Sequence, residues 1–208
     1  MMPGLLVLGF GGHARSVADV ALACGIKNLL FIEPHARTGE NFLGHAVESG
    51  WPEIALFPDW QYLPASGNGA IREQQMREAK ARGWKAATLI APTATIGVGA
   101  TVGEGSFVAQ HAHVGPMAQF GAACIVNTGA AVEHEVIVGA FSHVSVHSVV
   151  AGRARIGSFC FIGAGAIVID KVQVADGITL GAGGVAASDL LETGTYIGVP
   201  ARLLNSAI

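Results

Sequence analysis

Three of the chain's eight histidines fall in one run with little other charge, NTGAAVEHEVIVGAFSHVSVHSVVAG, residues 127–152. His134 stands between Glu133 and Glu135, with His143 and His147 further on. Imidazole beside carboxylate supports proton transfer, metal ligation or plain surface decoration. A neutral imidazole titrates near the working pH and takes a proton from an attacking amine, provided a partner fixes its tautomer. A carboxylate on the other ring nitrogen does this in catalytic triads. A second chemistry-bearing stretch opens the chain. In GFGGHA, Gly9, Gly11 and Ala14 fit G-x-G-x-x-G/A, with Glu33 about twenty residues on. Glycines between a strand and a helix offer backbone N–H groups and the positive end of a helix dipole to a diphosphate.

These residues need elements to hold them. GLLVLG reads as a short buried strand, HARSVADVALACG as a helix stopped at Gly25, and NLLFIE as a second strand. Residues 34–58 are rich in turn formers and receive no element. YLPASGN reads as a strand running into a glycine turn, and AIREQQMREAKARG as a polar helix closed by Gly83. Strand–helix alternation implies a small parallel sheet with crossover helices. From Ile90 the pattern changes: every sixth residue to Leu180 is apolar, sixteen in succession without an insertion. Four residues after each stands a mostly small one, such as Ala112, Cys124 or Ala154, and glycine often follows the apolar residue directly. This is the hexapeptide repeat of a parallel β-helix.

Three hexapeptides make one triangular coil, in which the large aliphatic residue fills the prism and the glycine lets the backbone turn. Residues eighteen apart stack at a strand spacing of about 4.8 Å. On this ruler His134 and Glu135 occupy an outward corner, and Gly152 lies over His134 on the next coil. A glycine there lets a bound molecule approach the backbone closely, and its N–H is a candidate oxyanion donor. Cys124 and Cys160 share an inward column two coils apart, too far to bond. No cysteine lies near the E-H-E run.

Bulk composition excludes more than it selects. Hydrophobic residues are 51% of 208 and charged residues 13%, which suits burial, subunit interfaces included. A net charge of -3 gives no reason to expect nucleic acid or a membrane surface as partner. The first apolar run is too short to span a bilayer and no basic region precedes it. Three cysteines without a CxxC pair point to a reduced, cytoplasmic location.

The uninterrupted frame and the tail YIGVPARLL resemble the left-handed β-helix acyltransferases, whose members are typically trimers with active sites between subunits. With GFGGHA, FIE and SGN ahead of NTGAAVEHEVIVGAFSHVSV, almost the whole chain resembles the PglD/NeuD-type sugar N- and O-acetyltransferases. The implied fold is a small α/β (Rossmann-like βαβαβ) nucleotide-sugar-binding domain over 1–88, then a left-handed β-helix with a C-terminal tail over 89–208. About 88 residues are too few for a dehydrogenase, so the glycine motif is expected to hold a nucleotide-sugar; a nicotinamide cofactor or a purely structural turn are the other readings.

The resemblance assigns His134 as general base and Glu135 as the group raising its basicity. His143 matches a position that contacts acetyl-CoA, and Ala164 and Ala182 match positions along its pantetheine arm. The nucleotide-sugar would lie near Gly12, His13 and Ala14, near Glu33 and Pro34, and near Gly67. Many relatives carry an acidic pair where this chain has Glu33-Pro34, and close relatives carry glycine in place of His147. Gamma-class carbonic anhydrases share the fold and bind zinc through three histidines. His111 and His147 match two such ligands, but the third position is Gly152, so no metal is expected. His111, His113 and His147 are then wall or interface residues. The implied protein is a homotrimeric, acetyl-CoA-dependent N-acetyltransferase of a nucleotide-linked amino sugar. The favoured substrate is a UDP-4-amino-4,6-dideoxy sugar bound for a surface glycan. O-acetylation of a sialic-acid-like sugar and a non-catalytic sugar-nucleotide-binding scaffold are the alternatives.

Overall fold

The computed structural model describes residues 3–204. Its first part comprises β1 (Leu5–Leu8), α1 (Gly12–Ala23), β2 (Leu29–Ile32), β3 (Asn41–Phe42), β4 (His45–Glu48), β5 (Gln61–Pro64), α2 (Gly69–Ala81) and β6 (Lys85–Ala86). The sheet order is β3-β4-β2-β1-β5-β6. β1 pairs in parallel with β2 and β5, and its continuous LLVL run is buried on both faces, as a central parallel strand requires. α1 turns Ala14, Val17, Ala18 and Ala21 inward. The stretch 34–58 holds an antiparallel hairpin, β3 with β4, whose second strand continues the sheet beside β2 and leaves β3 at the edge. Its turn residues Leu43 and Gly44 have φ of 53° and 83°. Both central residues of such a primed turn need positive φ; a leucine in the first place leaves the turn silent in the sequence.

The second part is a left-handed parallel β-solenoid with three walls. The first wall stacks Leu89–Ile90, Phe107–Val108, Ile125–Val126, His143–Val144, Phe161–Ile162 and Thr179–Leu180. The second includes His113–Val114, Ala131–Val132 and Val149–Val150, and the third includes Gln119–Phe120, Ile137–Val138 and Arg155–Ile156. Partners are eighteen apart throughout, and from Val108 onward the sixth-residue aliphatics form one continuous buried core. The first coil is an open end, with Ile96 40% exposed.

The glycines after the aliphatics have another role than turning the chain. A Cβ on Gly115 would come within 2.6 Å of the Glu133 carbonyl carbon on the next coil, and one on Gly163 within 2.6 Å of the Ala182 nitrogen. They permit coil stacking. The left-handed turn falls two residues later, at Gly99, Gly105, Met117, Glu135, Phe141, His147 and Arg153. Inside the prism Ser106 Oγ accepts the Cys124 N–H at 2.9 Å, and Ser142 Oγ accepts the Cys160 N–H at 3.0 Å. All three cysteines are free.

The two parts share a core. β1 and α1 pack on the first wall through Phe107, Ala109 and Ile125. Along that wall's outward column Phe107, Ile125 and His143 are buried, whereas Phe161 is 37% exposed. His143 therefore marks where the cover ends.

Candidate active site

His134 sits on the edge between the second and third walls, between Ala131–Val132 and Ile137–Val138. Glu135 takes φ 60°, and its N–H donates to the Pro116 carbonyl one coil away at 2.9 Å. The His134 carbonyl accepts the Arg153 N–H at 2.9 Å. These bonds fix the corner backbone and aim both side chains outward. His134 Nδ1 lies 3.1 Å from Glu135 Oε2. A carboxylate can only accept, so Nδ1 carries the hydrogen and Nε2 keeps its lone pair. The ring lies against Gly152: a Cβ on that residue would overlap the imidazole edge at Nε2. Next to the pair, Arg153 Nη2 reaches Asp170 Oδ1 at 3.1 Å, and Lys171 is 3.7 Å from the same carboxylate. Hydrogen bonding from Arg153 draws Asp170 below the usual carboxylate range.

The N-terminal part holds a cavity of about 430 Å³. Gly12, His13, Glu33, Pro34 and Gly67 line it, together with Trp51 and Gln75, which the sequence reading did not single out. Ala14 does not: it is fully buried in the helix–sheet core. Burial, followed by the neighbouring His143 and Arg72, pushes His13 down to about 3, so its ring is neutral. Among the described residues His13 Nε2 and Gln75 Oε1 are buried without a hydrogen-bond partner, while Gln75 Nε2 donates to the Leu8 carbonyl at 2.8 Å.

Gly67 also lines a second cavity of about 450 Å³, walled by Phe141, His143, Phe159 and Phe161. His143 Nδ1 is 3.4 Å from the Gly67 carbonyl and Nε2 is 3.1 Å from Asn127 Nδ2. The carbonyl accepts, so Nδ1 carries the hydrogen and Nε2 accepts from Asn127. Asn127 in turn uses Oδ1 to take the Thr128 N–H at 2.8 Å. Burial, then the Arg72 charge, pushes His143 down to about 4. Both its nitrogens are engaged within the chain, and it faces the N-terminal part, not the edge that bears Ala164 and Ala182. Those two alanines are exposed on the edge between the first and second walls, where the Ala164 carbonyl accepts the Gly183 N–H at 2.9 Å.

One chain thus gathers three groups without joining them. His134, Glu135 and Gly152 share one edge, Ala164 and Ala182 another, and five of the six expected nucleotide-sugar residues one cavity. The His134 edge lies opposite the wall that carries the N-terminal part. His111 and His147 sit on the Ala164 edge. His113 faces out from the second wall with Nδ1 2.7 Å from Thr95 Oγ1.

No family model matches the chain. Solved structures do. The acetyltransferase domain of PglB from Neisseria gonorrhoeae FA1090 is 34% identical, with a TM-score of 0.89, over 97% of this chain and 100% of that one. The chain belongs to the PglD/NeuD-type sugar acetyltransferases. The same PglB domain, in complex with acetyl coenzyme A, also matches at 34% identity and a TM-score of 0.89, covering 98% of this chain and 100% of that one. A histidine-to-alanine variant of GDP-perosamine N-acetyltransferase from Caulobacter crescentus, in complex with CoA and GDP-perosamine, is 28% identical. It covers 99% of both chains with a TM-score of 0.90. This sugar acetyltransferase is therefore an acyl-transfer enzyme, and no helix among its described residues is long and apolar enough to cross a membrane.

Proposed function

We propose that this enzyme transfers acetyl from acetyl-CoA directly to the amine of a nucleotide-linked amino sugar, with His134 as general base. The observation that carries this is the His134 ring: Nδ1 is held by Glu135, and Nε2 presents its lone pair beside the bare backbone of Gly152. The amine attacks the acetyl carbon, Nε2 takes the amine proton, and the Gly152 N–H stabilises the developing oxyanion. The tetrahedral adduct collapses with loss of CoA thiolate, which takes up the proton held by His134. Cys124, pushed up to about 11 by burial, is no rival nucleophile.

Residues 1–88 act as a Rossmann-like unit that grips the nucleotide, with the diphosphate against the Gly11–Gly12 end of α1 and the remainder near His13, Glu33, Pro34 and Gly67. Residues 89–208 carry the transfer chemistry, with the pantetheine arm running past Ala164 and Ala182. Because the His134 edge faces away from the nucleotide cavity of its own chain, a homotrimer would complete each site between two copies. A UDP-4-amino-4,6-dideoxy sugar for surface glycan synthesis is the favoured acceptor, and the GDP-perosamine complex of the Caulobacter relative makes GDP the next nucleotide to compare. No metal is assigned a step.

CoA release with UDP-, GDP- and dTDP-linked 4-amino sugars tests this. His134→Ala is expected to lower kcat/KM by about 10²–10⁴-fold, the range for losing a general base, with an unchanged melting temperature. Transfer only to hydroxyl acceptors would replace the reading with O-acetylation. Nucleotide-sugar binding without transfer would replace it with a scaffold.

A further inference from the structure

Arg72 lies one turn into α2 and is 1% exposed. Its guanidinium meets no carboxylate among the described residues, only main-chain carbonyls. Nε donates to Ala123 at 2.8 Å, Nη1 to Ser66 and Gly67 at 3.0 Å each, and Nη2 to Phe141 and to Ser142, the latter at 3.2 Å. Burial draws Arg72 down to about 10, which leaves it charged at neutral pH. Burying a cation without a counter-charge is costly, and an apolar side chain of similar volume fills a core at least as well. What the fork adds is geometry: one rigid plane ties two solenoid corners, at Ala123 and at Phe141–Ser142, to the Ser66–Gly67 segment.

Both residues of that segment line the first cavity, and Gly67 lines the second as well. The Gly67 carbonyl is held a second time by His143, which Asn127 orients. The start of α2 presses on the same corner, since a Cβ on Gly69 would stand 2.5 Å from the Phe141 carbonyl oxygen.

We propose that Arg72 is a positioning residue for acetyl transfer: through the Ser66–Gly67 carbonyls it sets the height of the nucleotide-sugar cavity against the solenoid wall, and so where the acceptor amine is delivered. This rests on the reading of the N-terminal cavity as the nucleotide-sugar site. Arg72 itself touches no substrate in this arrangement; its effect is transmitted by the turn.

The test separates the two KM values. Arg72→Lys keeps the charge and loses the fork. It is expected to raise KM for the nucleotide-sugar by about tenfold or more, since the Ser66–Gly67 wall of that cavity is no longer held, with KM for acetyl-CoA within about twofold. Millimolar methylguanidinium is expected to restore the nucleotide-sugar KM of Arg72→Ala. Asn127→Leu leaves Arg72 in place, frees His143, and is expected to shift the same KM by a smaller factor of about three. A wild-type nucleotide-sugar KM in Arg72→Lys, or an equal rise in both constants, overturns the proposal. Should neither Arg72 variant fold, a wild-type KM in Asn127→Leu overturns it. Calorimetric Kd values for the nucleotide-sugar give the same comparison if the wild-type protein releases no CoA. That result would sink the functional reading while still deciding the role of Arg72.

Discussion

His134 and Gly152 touch because one of them lacks a Cβ. Gly152→Ala puts a methyl group where the imidazole edge lies, while its backbone conformation is one alanine adopts. We expect at least a hundredfold loss of kcat with a nearly unchanged melting temperature; a variant of normal activity would remove Gly152 from the site. Two other histidines report on burial instead. His13 and His143 are held down to about 3 and about 4 in the folded chain, against about 6.5 unfolded. Below pH 6.5 the unfolded chain binds protons that the folded chain refuses, so stability falls as pH drops from 6.5 towards 4. Between pH 7 and pH 5 each histidine accounts for a loss of about 2 kcal/mol. Denaturant midpoints at the two pH values are expected to converge in a His13→Asn, His143→Asn double variant; an unaltered gap would count against these shifts.

At the scale of elements, the solenoid distinguishes two kinds of glycine. Gly139 follows an aliphatic residue, and a Cβ there would come within 2.6 Å of the Gly157 carbonyl carbon on the next coil. Gly139→Ala is expected to destabilise by about 1–3 kcal/mol, as overpacking does. Gly165 has φ 64° and open space around it. Gly165→Asn is expected to cost less than about 1 kcal/mol, because asparagine tolerates the left-handed region. Thermal melts of both variants decide, and equal losses would mean that the glycines are not divided in this way. The same distinction explains Glu135. It occupies the left-handed corner place without being glycine, and that backbone turns its carboxylate back onto the neighbouring His134 ring.

For the whole molecule, the separation of the His134 edge from the nucleotide cavity makes a prediction about assembly. Sedimentation is expected to give a trimer. Mixing inactive His134→Ala chains with inactive Gly12→Glu chains, whose new carboxylate would repel a diphosphate, is expected to restore measurable acetyl transfer in re-formed mixed trimers. Mixed trimers with no activity would refute a site shared between copies. Much of this plan was legible in one dimension. The six-residue frame determined the prism, its eighteen-residue stacking, the outward corner of His134 and Glu135, and the place of Gly152 above them, because a repeat converts sequence spacing directly into spatial position. Non-repeating contacts stayed hidden. Arg72 lies in a polar helix whose pattern singles out no buried residue, yet the docking of that helix on the solenoid buries it among carbonyls from the nearby Ser66–Gly67 turn and two distant solenoid corners. His143 reads as an outward residue that contacts acetyl-CoA; in the folded chain the N-terminal part covers its wall, Gly67 engages one ring nitrogen and Asn127 of the solenoid the other. Local pattern encodes which side of an element is apolar, whereas what covers that side, and which partners its buried polar atoms meet, is settled only when separate elements come together.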